Sequence, residues 1–128
     1  RKSGEDLTVL AYGTAVHFAL EAAQVLESEG YSIEVIDLRS LSPLDEETIL
    51  QSIEKTHRVV IAHEDKVFGG FGGELAALIA SKAFPWLDAP IERVGSEFTP
   101  VGFNRILERA VLPNTEKVLK TIRQTLAF

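Results

Sequence analysis

Residues capable of acid–base chemistry lie together in the middle of the chain. The apolar run 59–62 is followed directly by His63 and Glu64, and then by a glycine-rich loop. Imidazole and carboxylate groups are the usual general acids and bases, and active sites of parallel α/β sheets lie at the carboxyl ends of strands. Neighbours on a strand point to opposite faces, so His63 and Glu64 are not expected to act on one atom. Both residues are candidate catalytic residues. The alternative role for the Glu64 carboxylate is to accept hydrogen bonds from the free N–H groups at the start of the next helix.

The loop after them contains Gly69, Gly70, Gly72 and Gly73 and leads into an Ala/Leu-rich stretch. Backbone N–H groups at such a loop and helix start could hold a phosphate. The dinucleotide-binding fingerprint, however, follows the first strand and needs an acidic residue about twenty positions later, and this loop follows the third. The Lys-Ser or Lys-Thr pair of a phosphate-binding loop is also missing. We therefore favour a structural role, in which the glycines let strand, turn and helix pack closely.

Composition limits the remaining possibilities. The chain has 128 residues, of which 45% are hydrophobic and 25% charged, as expected for one globular domain. It has no cysteine, which excludes disulfides, thiol catalysis and cysteine metal sites, and no His/Asp/Glu spacing suggests a metal. A net charge of −6 without a Lys/Arg cluster argues against nucleic acid. No apolar stretch approaches the roughly 20 residues of a membrane span.

Strand and helix patterns alternate along the chain. Thr14 and Asp45 are predicted to cap the first and second helices, and Leu44 to pack on Ile49 as a hydrophobic staple. The alternation predicts one domain over residues 1–128, a three-layer αβα fold on a mostly parallel sheet of about five strands. The predicted strands cover residues 7–12, 32–38, 58–62 and 91–94, and the last two helices cover 74–83 and 115–126.

Three stretches resemble the C-terminal domain of the transketolase superfamily: residues 6–13, 35–45 and 63–74. The second stretch, an aspartate-leucine-arginine run followed by a proline-leucine-aspartate turn, is highly specific to that superfamily. Together with the tail, the resemblance covers essentially the whole chain. It implies the three-layer fold already predicted from the alternation.

The tail resembles the beta subunit of the decarboxylating component of 2-oxo acid dehydrogenase complexes. The pattern around His63 and the glycine loop is more similar to the branched-chain and acetoin members than to the pyruvate members. Many relatives have an aspartate where this chain has Phe98, and often a proline where it has Gly102. The 97–103 variant resembles chains in which the alpha and beta subunits are fused. The tail motifs are residues 89–94, 99–100, 107–108 and 112–113.

The resemblance implies a division of labour. Thiamine diphosphate and Mg²⁺ are expected in the full-length enzyme, held by other domains and not by this one. The implied reaction is oxidative decarboxylation of a 2-oxo acid, with 2-oxoisovalerate favoured, and acyl transfer to lipoamide. The isolated domain is expected to be inactive. The sequence contains no methionine, not even at position 1, and is therefore expected to be a piece of a longer chain.

The implied partners are the other domains or subunits of a dimeric or heterotetrameric enzyme, and the subunit-binding domain of dihydrolipoyl acyltransferase. Phe128, an aromatic residue with a free carboxylate, is the candidate contact for that docking. The expected compartment is the cytoplasm in a bacterium or the mitochondrial matrix in a eukaryote.

Other interpretations are the equivalent domain of a pyruvate or acetoin dehydrogenase, or of a transketolase or deoxyxylulose-phosphate synthase. The Leu112-Pro113 tail argues against the synthase and transketolase types. A free-standing small-molecule-binding α/β domain is the remaining alternative, and the absence of an initiator methionine argues against it.

Overall fold

A computed structural model describes residues 2–39, 44–96 and 112–128. The predictions that fall on 40–43 and 97–111, including those on Phe98 and Gly102, lie outside these ranges. Strands and helices alternate as predicted. The elements are β1 (Leu7–Ala11), α1 (Ala15–Ser28), β2 (Ile33–Asp37), α2 (Glu46–Thr56), β3 (Val59–Lys66), α3 (Phe71–Lys82), a 3₁₀ turn (Phe84–Trp86), β4 (Glu92–Ser96) and α4 (Thr115–Leu126).

Within the described ranges the sheet has four parallel strands in the order β2-β1-β3-β4. This is close to the predicted sheet of about five strands. Lys2 adds an isolated antiparallel bridge to Val35 at the outer edge of β2. Two hydrophobic clusters lie on opposite faces of the sheet, one with α1 and α4 and the other with α2 and α3. The three-layer αβα prediction is confirmed. No helix in the described ranges has the length and apolar character needed to cross a bilayer.

The helix starts test the capping predictions. Asp45 caps α2 as predicted, since its carboxylate accepts from Thr48 N at 3.2 Å and from Thr48 Oγ1 at 2.7 Å. Leu44 packs in the same cluster as Ile49, as the staple requires. The prediction that the Thr14 side chain caps α1 is wrong: Thr14 already has helical φ and ψ and makes no side-chain cap bond. Gly13, at φ +65°, supplies the turn before that helix instead.

The carboxyl edge of the sheet differs from the prediction at two boundaries. β3 continues to Lys66 instead of ending at residue 62, because Lys66 pairs with Ser96 of β4 after a register shift. α3 begins at Phe71, three residues before the predicted start. His63 and Glu64 therefore lie within the strand. Gly72 lies in the first turn of a helix and not in a loop.

A polar cluster closes the amino end of the sheet. The Glu34 carboxylate of β2 accepts a hydrogen bond from Ser52 Oγ of α2, and from Lys55 Nζ at 2.7 Å. Thr8 Oγ1 of β1 lies 2.6 Å from Ser52 Oγ and 2.7 Å from Thr56 Oγ1, all three hydroxyls being buried. Burial opposes ionisation of Glu34, but the donors around it outweigh that effect and hold the pKa of the carboxyl below its ordinary value.

Candidate functional site

His63 occupies a closed slot at the carboxyl end of β3. Its side chain is fully buried, and its ring stacks on Tyr12 with centroids 5.6 Å apart and an interplanar angle of 25°. Nδ1 lies 2.9 Å from the carbonyl oxygen of Asp65. A carbonyl oxygen can only accept, so Nδ1 carries the proton and Nε2 has a free lone pair. Burial lowers the pKa of His63, with the nearby Asp65 acting in the opposite direction.

Two glycines form the remaining walls of this slot. A Cβ atom on Gly72 would lie 2.2 Å from His63 Nε2, and one on Gly95 would lie 2.7 Å from His63 Cε1. Nε2 is buried and has no hydrogen-bond partner within the described part of the chain. The ring therefore fits between β1, α3 and β4 only because two of those elements carry glycine where they touch it.

Tyr12 and Asp65 complete the cluster, and sequence reasoning did not single them out. The Tyr12 hydroxyl donates to Asp65 Oδ2 at 2.6 Å, and the Tyr12 ring meets Phe71 edge-on at 6.3 Å. Burial, followed by this hydrogen bond and the Asp65 charge, raises the pKa of Tyr12. Only the strand order could have indicated that Tyr12 and Asp65 meet. β1 and β3 are parallel neighbours, so the residues at their carboxyl ends lie at the same edge of the sheet.

Glu64 faces away from this cluster. Its side chain is exposed whereas that of His63 is buried, and its backbone carbonyl accepts from Ser96 Oγ. The N-cap of α3 is Gly70, so Glu64 is not the residue in the capping position. The structure thus does not bring the two candidate acid–base residues to a common point. Their catalytic role stays a prediction without a shared site.

The glycine loop is packed against protein atoms. A Cβ on Gly70 would lie 2.0 Å from the Lys66 carbonyl oxygen, while Gly69 takes the left-handed conformation at φ +80°. The Gly70 and Gly72 positions that would have to approach a diphosphate are already in contact with β3. In the described ranges no three His, Asp or Glu side chains cluster as a metal site would require. These residues do not fit thiamine diphosphate or its Mg²⁺.

Phe128 lies beyond the end of α4 with 66% of its surface exposed. Its main-chain oxygen accepts from Arg58 Nη2 at 2.9 Å, so the residue is tethered to the segment before β3. An exposed ring on a held backbone can serve as a docking contact. Its partner role stays a prediction.

The αβα layers and the four parallel strands define a domain of the three-layer α/β class. Residues 1–118 match the family described as "Transketolase, C-terminal domain", which covers most of the chain. The chain belongs to the transketolase C-terminal domain family.

Curated relatives place the match inside larger subunits. The chain is 43% identical over 126 residues to the "Acetoin:2,6-dichlorophenolindophenol oxidoreductase subunit beta" of Bacillus subtilis, covering 98% of this chain and 37% of the relative. It is equally identical over 126 residues to the mitochondrial "Pyruvate dehydrogenase E1 component subunit beta" of Caenorhabditis elegans, covering 98% and 36%. It thus spans less than two fifths of either relative's length.

A solved structure shows the same fold. The structure titled "Split gene transketolase, inactive beta4 tetramer" superimposes with a TM-score of 0.84 at 32% identity. The match covers 98% of this chain and 40% of that one.

Proposed function

We propose that this chain is the C-terminal domain of a beta subunit, or of a fused alpha-beta chain, from the decarboxylating component of a 2-oxo acid dehydrogenase complex. In this role it joins subunits and docks partners while other domains perform the reaction. One observation carries the proposal: the space between the carboxyl ends of β1 and β3, where the strand order reverses and parallel α/β domains usually bind ligands, is filled here by His63, Tyr12 and two glycines.

The relatives support this class of enzyme and favour particular substrates. Those reported above are named for acetoin and for pyruvate, at 43% identity each. The substrate we propose for the whole enzyme is accordingly of the pyruvate or acetoin type. The branched-chain type, with 2-oxoisovalerate, has the motif resemblance around His63 as its support and stays a narrower prediction.

A transketolase is the second candidate, and the solved structure favours it. That chain, 32% identical, is titled a split gene transketolase. The distinction lies in the substrate of the whole enzyme, because a transketolase acts on sugar phosphates and the dehydrogenase component on a 2-oxo acid. Turnover of a 2-oxo acid with a redox dye as acceptor separates the two.

The cofactor follows from the same proposal. The whole enzyme would use thiamine diphosphate with Mg²⁺, whose chemistry is to stabilise the carbanion left by loss of carbon dioxide. The glycine loop of this chain packs against its own strand β3, so the domains outside this chain would hold the cofactor. The isolated chain is then inactive. In a bacterium the enzyme would be cytoplasmic, and in a eukaryote it would lie in the mitochondrial matrix like the nematode relative named mitochondrial.

The proposed partners are the remaining domains or subunits of a dimeric or heterotetrameric enzyme, and the dihydrolipoyl acyltransferase. The acyltransferase would be bound through its subunit-binding domain, with the exposed Phe128 as a contact. The Arg58 guanidinium donates to the Phe128 main-chain oxygen at 2.9 Å, which ties the end of α4 to the start of β3 beside the exposed ring.

Phe128→Ala in the full-length enzyme should weaken binding to the cognate subunit-binding domain by about tenfold or more, as expected for an aromatic anchor. Turnover with a small artificial acceptor should not change, because the reacting groups lie elsewhere. Surface plasmon resonance measures the affinity. Phe84→Ala is the matched control, since Phe84 is also an exposed phenylalanine, at 71%, but lies beside α3.

Equal affinity of Phe128→Ala and the unaltered enzyme would remove Phe128 from the docking surface. Failure of the unaltered enzyme to bind any acyltransferase subunit-binding domain would contradict the proposed function itself.

A further inference from the structure

The slot around His63 is unusual because it leaves a buried polar atom without a partner. Nδ1 is satisfied by the Asp65 carbonyl, but Nε2 is buried and unpartnered within the described residues. A neutral imidazole tolerates this arrangement, because Nε2 then carries a lone pair and no hydrogen where it faces Gly72. Protonation would place an N–H group there with no acceptor and no space for water.

The surroundings of Nε2 disfavour a positive charge. Gly72 lies in the first turn of α3, where the free N–H groups give the helix end a partial positive charge that the exposed Glu74 of the same turn offsets in part. Arg93 of β4 adds a further positive charge nearby, while Asp65 is the acidic group that opposes it. The Asp65 carboxylate is engaged by the Tyr12 hydroxyl at 2.6 Å. The closed slot therefore accommodates the neutral ring only.

The slot walls differ in how firmly they are held. Tyr12 directly follows β1, a fully buried strand, and Gly95 lies within β4, which pairs with β3. Gly72 lies outside the sheet, and its helix is anchored further along by the buried Leu75 and Ile79. The wall that can move to relieve a charged ring is the first turn of α3.

We propose that His63 is an acid-sensitive latch on the first turn of α3: the neutral ring holds the turn closed against β3, and protonation releases it. Release uncovers the Tyr12 and Phe71 rings and alters the surface at the carboxyl edge of the sheet. This inference rests on the geometry of the slot and is independent of the proposed enzyme.

Hydrogen exchange tests the latch in the 128-residue chain between pH 7.5 and 5.5. An ordinary histidine titrates near pH 6.5, so an opening that frees His63 should become about tenfold more populated across this range. After correction for intrinsic rates, the amides of Gly73 and Leu75 should lose about tenfold in protection. The amide of Ile122 in the core of α4 exchanges through a larger opening, so it should stay more protected than Gly73 and Leu75 at both pH values.

His63→Phe keeps a flat ring but cannot titrate, and its α3 amides should show no such pH dependence. His17→Gln is the matched control, since His17 is exposed on α1, and it should behave like the unaltered chain. A pH-independent α3 turn in the unaltered chain would overturn the proposal, as would the same slope in His63→Phe or α3 amides as strongly protected as that of Ile122.

If His63→Phe does not fold, an NMR titration of the His63 ring in the unaltered chain tests the latch instead. The expected result is a ring that stays neutral with the proton on Nδ1 until the α3 turn opens. Titration of His63 at the ordinary histidine pKa without any change in α3 exchange would also overturn the latch.

Discussion

Gly72→Ala should lower the free energy of unfolding by about 2–3 kcal/mol, a typical cost of overpacking a closed core site. The added Cβ would lie 2.2 Å from His63 Nε2 and 2.7 Å from Cδ2. The ring cannot retreat, because Tyr12 stacks on it and Gly95 closes the opposite side. The helix preference of alanine over glycine, about 1 kcal/mol, offsets only part of the cost. Urea denaturation at pH 7.5 measures the change.

Gly73→Ala is the matched control one residue along the same helix. Its Cβ would lie 3.3 Å from Arg93 Nη1, the tip of an exposed side chain that can shift slightly while still donating to the Val67 carbonyl oxygen, now at 2.8 Å. This variant should be neutral or stabilised by up to about 1 kcal/mol. In a His63→Ala background the cost of Gly72→Ala should shrink by more than about 1 kcal/mol, since the ring is gone. Equal costs in both backgrounds would refute the slot.

Glu34→Gln should destabilise the domain at neutral pH by about 1–2 kcal/mol, because charged acceptors make stronger hydrogen bonds than amides. The largest part of this cost comes from the weaker hydrogen bond of the Ser52 hydroxyl, which is buried beside Glu34. Lys55 contributes less, since its side chain is 38% exposed and the ion pair is screened by solvent. Unfolding curves at a series of pH values measure the effect.

The direction of the Glu34 pKa shift determines the pH range in which Glu34 stabilises the folded chain. The pKa of Glu34 is lower in the folded chain than its ordinary value of 4.5, so its contribution is present above that pH. The contribution disappears as the pH falls through the folded pKa, and the Glu34→Gln curve should meet the unaltered one there. Glu54→Gln, on the exposed side of α2, should follow the unaltered curve throughout. A constant Glu34→Gln offset at all pH values would contradict this account.

Local patterns predicted the layers but not the ends of two elements. Buried runs and capping residues such as Asp45 are short-range signals, and the alternation they define is the one observed. The polar end of β3 has no apolar pattern of its own, and its pairing comes from β4, some thirty residues away. Sequence reasoning therefore ended this strand at residue 62 and placed His63 in an exit loop.

The candidate site was located by sequence but not understood from it. His63 and the glycines were recognised as one edge, and a packing role for the glycines was favoured. The slot itself depends on contacts between segments distant in sequence, from Tyr12, Gly72 and Gly95. Sequence periodicity and residue spacing do not reveal that these distant glycines contact the His63 ring. Tyr12 was recognised only as part of a strand for the same reason.

Calorimetric titration of thiamine diphosphate with Mg²⁺ tests the assembly role most directly, performed on this chain alone and on the whole enzyme that contains it. We predict saturable binding by the whole enzyme and none by this chain, because the His63 slot fills the space between the carboxyl ends of β1 and β3. Saturable binding by the chain alone would contradict the account.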